Sequence, residues 1–224
     1  MGKGKRLLSE YRRADASGRS RMTARVSMLA HFSAAACKIA AGVFALSGFL
    51  VISGLYSAGI GTAKGIYDRG AALSRGNRTQ ELRYYRNIAM ILLISALAYM
   101  TWMARLFFSP PAFRYGRILG IGIAALSFWD LGAAIWGLAD SGKRKDILLS
   151  GLRTVNLSSA MTALVLTQTA ILSFTHEPTV QAMAADARSN AVLGLLVGCV
   201  SCILSVWMLF RYRREARQME KGSA

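Results

Sequence analysis

The sequence has little of what several protein classes require. Its 224 residues include three cysteines and three prolines, so neither a disulfide framework nor a proline-rich linker is indicated. Its two histidines, His31 and His176, lie far apart in the chain. They form no local cluster of metal ligands, and a structural role is favoured for each. Acidic residues number 11 against 28 basic ones, and no pair of carboxylates is spaced for acid–base catalysis on one helix.

Enzymatic motifs are also missing. The chain has no phosphate-binding glycine loop followed by a lysine and a hydroxyl residue, and no nucleophile with a histidine base. Cys199 and Cys202 form a lone Cys-x-x-Cys in an apolar segment. Without a second pair or a histidine nearby, small apolar packing is the favoured interpretation. The sequence therefore predicts a protein that is not an enzyme and has no cofactor.

Long apolar runs are what the chain does contain. It is 54% hydrophobic yet carries a formal charge of +17, and the charges are confined to blocks between apolar runs. From Val26 to Ala63, 38 residues pass with Lys38 as the only charged side chain. Since a bilayer crossing takes about 20 helical residues, this run predicts two crossings, with a turn around Leu46–Gly48. The basic blocks flank apolar spans without interleaved aromatics, so attraction to anionic lipid is favoured over nucleic-acid binding.

The same pattern continues to the C-terminus. It predicts an all-α integral membrane bundle of six transmembrane helices in a domain of residues 26–210, between basic tails at residues 1–25 and 211–224. The predicted spans are residues 26–45, 48–66, 87–106, 117–139, 152–175 and 189–210.

The charges between the spans predict the orientation of the bundle. Placing both tails and the loops 64–86 and 140–153 in the cytoplasm puts 23 of the 28 basic residues there, against four on the opposite side. By the positive-inside rule, both termini are expected in the cytoplasm. The predicted location is the cell membrane as a multi-pass protein, which is the inner membrane in a bacterium, and the lipid bilayer is the expected partner.

Several positions within these spans and next to them are informative when taken together. They are Lys38-x8-Ser47, Ser57 in a glycine-rich second span, Arg25, Gly42, Gly76-x4-Glu81 and the segment Asn156–Thr162. In these positions and in its six-span topology over residues 25–210, the chain resembles the transmembrane domain of the cation diffusion facilitator family, which are metal–proton antiporters. The resemblance implies a secondary transporter, a homodimer, and a cation or proton as the transported species.

The chain departs from this family at the metal site. The family has two acidic or histidine ligands one turn apart on the second span and a His-x-x-x-Asp pair on the fifth. The matching residues here are Tyr56, Ile60, Asn156 and Ala160, which are poor ligands for a divalent transition metal. No metal site is therefore expected. Because 14 residues follow the last span, the family's cytoplasmic metal-binding domain is not expected either.

Polar residues inside the spans are the remaining functional candidates. Asp130 lies near the middle of the fourth span, where an ionised carboxylate costs about 2.5 to 3.5 kcal/mol. It is either a proton or cation carrier or one half of an ion pair that holds helices together. Lys38 either pairs with Asp130 or extends its ammonium to the membrane surface. The candidate pathway residues are Lys38, Tyr56, Asp130 and Asn156. The predicted function is a secondary transporter or a descendant that lost the metal site, and the alternative is a non-transporting membrane scaffold or partner subunit.

Overall fold

The computed structural model describes residues 16–74, 76–108, 146–175 and 179–222, together with residues 121, 122, 125, 128, 129, 131 and 132. These residues contain no strand, which confirms the all-α prediction for this part of the chain. Its long helices are α1 (Ala16–Phe44), α2 (Gly48–Leu73), α3 (Arg78–Phe108), α4 (Ile147–Thr175) and α5 (Val180–Gly222).

Four of these helices are long and apolar enough to cross a membrane. The segments concerned are Ser20–Phe44, Gly48–Leu73, Arg78–Phe108 and Ala184–Lys221. They contain the second, third and sixth predicted spans and all but the last residue of the first. The fifth predicted span lies within α4, and most of the fourth, including Asp130, lies outside the described residues. The number of six spans and the placement of both termini in the cytoplasm stay predictions.

Polar side chains begin four of the helices. The first backbone N–H groups of a helix lack intrahelical acceptors, and a short side chain just before the helix can supply one. Ser47 accepts from Leu50 N–H at 3.4 Å, and Asp146 accepts from Leu148 N–H at 2.8 Å. Asn77 and Thr179 cap α3 and α5 in the same way. Each of these helices therefore has a start point fixed by its own sequence.

The connection between α1 and α2 is a tight turn at the predicted position. Ser47 N–H donates to the Gly42 carbonyl at 2.7 Å, and Leu46 N–H donates to the Val43 carbonyl at 3.2 Å. These two bonds form a Schellman motif, which requires a left-handed residue at its centre. That residue is Leu46, with φ of 50°. The turn brings α2 back antiparallel against α1.

Helix α2 is the centre of the described bundle. It packs against α1, α3 and α4, while α3 packs chiefly against α5. Glycines permit close approach: a Cβ on Gly54 would lie 2.6 Å from Ile39 Cγ1 in α1, and one on Gly59 would meet Ser95 in α3. The largest fully buried side chains of the core come from all five helices, namely His31, Leu50, Ile60, Lys64, Tyr85, Ile88, Leu92, Tyr99, Met103, Ile147, Leu166 and Met208.

Large apolar side chains also cover the outside of the helices. Exposed examples include Leu29, Leu55, Ile94, Leu164 and Ile203, one on each helix in turn. A protein in water rarely exposes apolar surface on every element, whereas lipid tails are as apolar as these side chains. The outer surface therefore fits the membrane-embedded bundle that the four apolar helices indicate.

Candidate functional site

A row of buried polar residues lies on the face of α1 that packs against the bundle. Ser27, His31 and Lys38 are spaced four and seven residues apart, so a helical period places them on one side of α1. All three are buried, with Ala34 and Ala35 between them. Eleven helical residues rise about 16 Å, so this row extends over roughly half of a hydrocarbon core of about 30 Å.

Lys38 is buried between α1 and α2. Its side chain is 2% exposed, and its Nζ donates a hydrogen bond to Ser57 Oγ at 3.0 Å. The sequence left open whether Lys38 pairs with Asp130 or extends to the membrane surface. The structure places its ammonium inside the bundle, and Asp130 lies outside the described residues.

Lys64 is a second buried lysine, which the sequence analysis did not select. Lys64 is fully buried, and its Nζ donates to Ser27 Oγ in α1 at 2.5 Å. The charge pattern assigned Lys64 to the start of a cytoplasmic loop, but α2 continues to Leu73. The available signal was spacing: Lys64 follows Ser57 by seven residues, which places both on one helical face.

Along the axis of α1, His31 lies between Lys38 and Ser27, and Ser27 is a residue that Lys64 of α2 contacts. Its Nε2 is 3.3 Å from Ser159 Oγ in α4, and both Lys64 and Lys38 lie within electrostatic range of its ring. These contacts join α1, α2 and α4. We call Lys38, His31 and Lys64, with their hydroxyl partners Ser57, Ser159 and Ser27, the buried basic line.

Tyr56 forms the next polar contact inside the bundle. Its hydroxyl donates to Ser201 Oγ in α5 at 3.2 Å and lies near the side chains of Ser158 and Thr162 in α4. Its ring packs on Tyr99 of α3, with centroids 5.2 Å apart. This one side chain therefore connects α2 to three other helices.

The four positions that the family resemblance aligns with metal ligands are Tyr56, Ile60, Asn156 and Ala160, and the first three are buried in the packed interior of the bundle. Tyr56 and Ile60 are 2% and 1% exposed, and Asn156 is 2% exposed. Ala160, one turn after Asn156, is half-buried. Within the described residues, no group of three histidine, cysteine, aspartate or glutamate side chains is close enough to hold a metal ion. Lys38, Tyr56 and Asn156 thus all lie in the interior of the bundle.

Ion pairs fix the helix ends on the side of the basic blocks. The carboxylate of Asp68 in α2 forms ion pairs with two arginines of α1, with Arg21 Nε at 3.2 Å and with Arg25 Nε at 2.8 Å. Glu215 of α5 pairs with Arg78 of α3 and with Arg211. Charged side chains of both signs are therefore used at this end of the bundle to position α1 and α5.

Comparisons with protein families and with curated proteins identify no relative of this chain. No protein-family model matches the chain, and no curated protein matches its sequence.

Proposed function

We propose that this protein is a proton-coupled secondary transporter whose proton pathway runs along the buried basic line. The observation that carries the proposal is the burial of two lysines and one histidine within apolar helices, each against a hydroxyl from a neighbouring helix. Ionisable residues inside a membrane are expensive, and they commonly mark ion pathways and proton relays. The resemblance to the cation diffusion facilitators supports the same class of function.

The chemistry of the line favours protons as the coupling species. Lysine and histidine exchange protons, and serine hydroxyls both donate and accept hydrogen bonds. A protonated lysine has no lone pair for a metal ion, and Tyr56 and Asn156 are weak ligands for a divalent transition metal. Proton coupling by a line of this kind needs no bound metal. The other candidates from the sequence, Tyr56, Asp130 and Asn156, are included in the proposed pathway.

Transport is tested with the full-length chain in proteoliposomes that contain a pH-sensitive dye. A proton gradient is imposed, and internal pH and uptake of Zn²⁺, Mn²⁺, Fe²⁺ and Co²⁺ are followed together. We expect proton movement in the native protein and its loss in Lys38→Arg, because arginine keeps the positive charge but does not release its proton. Asp130→Asn is expected to abolish the same movement. Arg69→Gln removes an exposed positive charge from α2 and serves as the matched control.

The scaffold alternative rests on a specific observation. The three side-chain contacts that define the buried basic line, and the hydrogen bond of Tyr56 to Ser201, each join two different helices. Interhelical hydrogen bonds of this kind stabilise membrane bundles whether or not anything is transported. Absence of both proton movement and metal uptake in monodisperse native protein would refute proton-coupled transport of these metals, and would favour another solute or the scaffold. Metal uptake without proton movement would refute proton coupling but retain transport.

The homodimer implied by the family resemblance belongs to the proposal as well. Light scattering of the detergent-solubilised protein, corrected for bound detergent, measures the oligomeric state directly. A dimer fits both the transporter and the scaffold. A monomer at all protein concentrations would contradict this part of the resemblance.

A further inference from the structure

Helix α5 continues beyond the length that a bilayer requires. It has 43 residues, which corresponds to about 65 Å at 1.5 Å per residue, against about 30 Å for the hydrocarbon core. The last uncharged run ends at Phe210, and Arg211 to Gly222 continue as helix. The final three turns of α5 therefore stand at and beyond the membrane surface.

One face of this extension is held against the rest of the bundle. Arg211 donates to Ser150 of α4 at 3.0 Å, and Glu215 forms an ion pair with Arg78 of α3. The guanidinium of Arg86 lies 5.6 Å from the centroid of the Tyr212 ring. Contacts to two other helices fix the rotation of α5 about its axis, and so fix which side chains point outward.

The opposite face of this extension carries a groove that is lined mainly by basic side chains. A cavity of about 430 Å³ lies along it, lined by Phe210, Arg213, Arg214, Arg217, Gln218 and Lys221. These positions recur at intervals of three and four residues, which is the spacing of one helical face. All six side chains are exposed, and of the six, four are basic and none is acidic. We call this surface the outer basic face of α5.

We propose that the outer basic face of α5 binds the phosphate headgroup of an anionic phospholipid in the adjacent leaflet. Phe210 is 64% exposed and continues the apolar surface of α5, so an acyl chain can lie against it. Arg213 and Arg214 stand about 5 to 6 Å further along the axis, the depth of the headgroup layer. Arginine binds phosphate oxygens through two parallel N–H groups. A bound anionic headgroup would also offset the mutual repulsion of these cations.

The proposal is tested with detergent-purified full-length protein and two lipid probes, phosphatidylglycerol and phosphatidylcholine. Native mass spectrometry counts the lipids that each variant retains. The variant Arg213→Gln/Arg214→Gln/Arg217→Gln is expected to lose retained phosphatidylglycerol, by up to about fivefold for each basic residue removed, with the largest effect nearest the membrane. Its matched control, Arg6→Gln/Arg12→Gln/Arg13→Gln, removes the same charge from the N-terminal basic block and is expected to lose much less of the retained lipid.

Further measurements make the result specific to a lipid on this face. The outer-face variant should unfold at the native temperature in phosphatidylcholine, because its substituted side chains are exposed. Arg217→Gln/Lys221→Gln, further from the membrane, should lose less lipid than Arg213→Gln/Arg214→Gln. Equal losses in the outer-face variant and its control would overturn the proposal, because they would indicate a general effect of charge. Complete displacement by inorganic phosphate would also overturn it, since the site would then bind free phosphate. This test does not depend on whether the protein transports protons.

Discussion

The hydroxyl of Tyr56 in α2 donates a hydrogen bond to Ser201 Oγ in α5, whereas the hydroxyl of its ring neighbour Tyr99 in α3 forms no hydrogen bond within the described residues. The two rings pack at a centroid distance of 5.2 Å and an interplanar angle of 49°. Tyr56 reaches Ser201 at 3.2 Å. The buried Tyr99 hydroxyl has no hydrogen-bond partner among the described residues. Two adjacent tyrosines thus offer an internal comparison of a bonded and an unbonded hydroxyl.

Tyr56→Phe is expected to destabilise the bundle by about 0.6 to 2 kcal/mol, since it removes an interhelical hydrogen bond within the membrane. Tyr99→Phe is expected to leave stability unchanged or to raise it, because a buried hydroxyl without a partner is itself unfavourable. Unfolding of both variants in mixed micelles measures the difference. Equal destabilisation by the two substitutions would contradict the assigned hydrogen bond.

A second prediction concerns the contact between Lys38 and Ser57. Ser57→Ala is expected to cost about 1.5 to 3 kcal/mol, because the buried ammonium loses one acceptor. In Lys38→Met/Ser57→Ala, the cost should be smaller than the sum of the two single costs, since the alanine no longer faces a buried cation. Unfolding free energies of the four proteins form a double-mutant cycle. Additivity to within about 0.5 kcal/mol would show that the two side chains do not interact.

A third prediction separates two glycines of α2. A Cβ on Gly54 would meet Ile39 Cγ1 at 2.6 Å and the Ala35 carbonyl oxygen at 3.0 Å. Gly54→Ala is therefore expected to push α1 from α2, at a cost of about 1 to 3 kcal/mol. On Gly61 the new Cβ would meet the ring of Phe32 at 3.3 Å.

Phe32 is 41% exposed and can shift outward, while alanine is the better helix former by about 1 kcal/mol. Gly61→Ala is accordingly expected to be neutral or stabilising. Thermal unfolding in detergent ranks the two variants against the native protein. The reverse order would place the closest approach of α1 and α2 at Gly61 instead.

A fourth prediction tests the membrane topology. Single cysteines are introduced as Gln80→Cys, Ala112→Cys, Gln181→Cys and Gln218→Cys, with the three native cysteines replaced by alanine. A membrane-impermeant maleimide should label positions 80 and 218 from one side and positions 112 and 181 from the other, as six spans and the positive-inside rule require. Labelling of positions 112 and 218 from the same side would exclude the six-span arrangement.

The sequence by itself determined the helical membrane class, the turn between α1 and α2 and the approximate place of four apolar helices. These features follow from local properties of each segment, which do not depend on the helices it packs against. A bilayer sets the length of an apolar run, and backbone polar groups in lipid must be satisfied within the helix. The ends of the helices were harder to predict from the sequence. Helix α5, for example, continues from Arg211 to Gly222, where hydropathy falls but the backbone remains helical.

Tertiary structure decided which polar residues meet. Lys38 stood out as the one charge in a long apolar run, but its contact with Ser57 depends on how α2 packs against α1. Lys64 looked like a loop cation, and its burial against Ser27 arises because glycines allow α1 and α2 to lie close together. Hydrogen bonds between residues far apart in sequence, such as Tyr56 to Ser201, depend on the rotation and register of packed helices. Periodicity within one helix indicates which of its faces is polar, but it does not specify which helix will lie opposite that face.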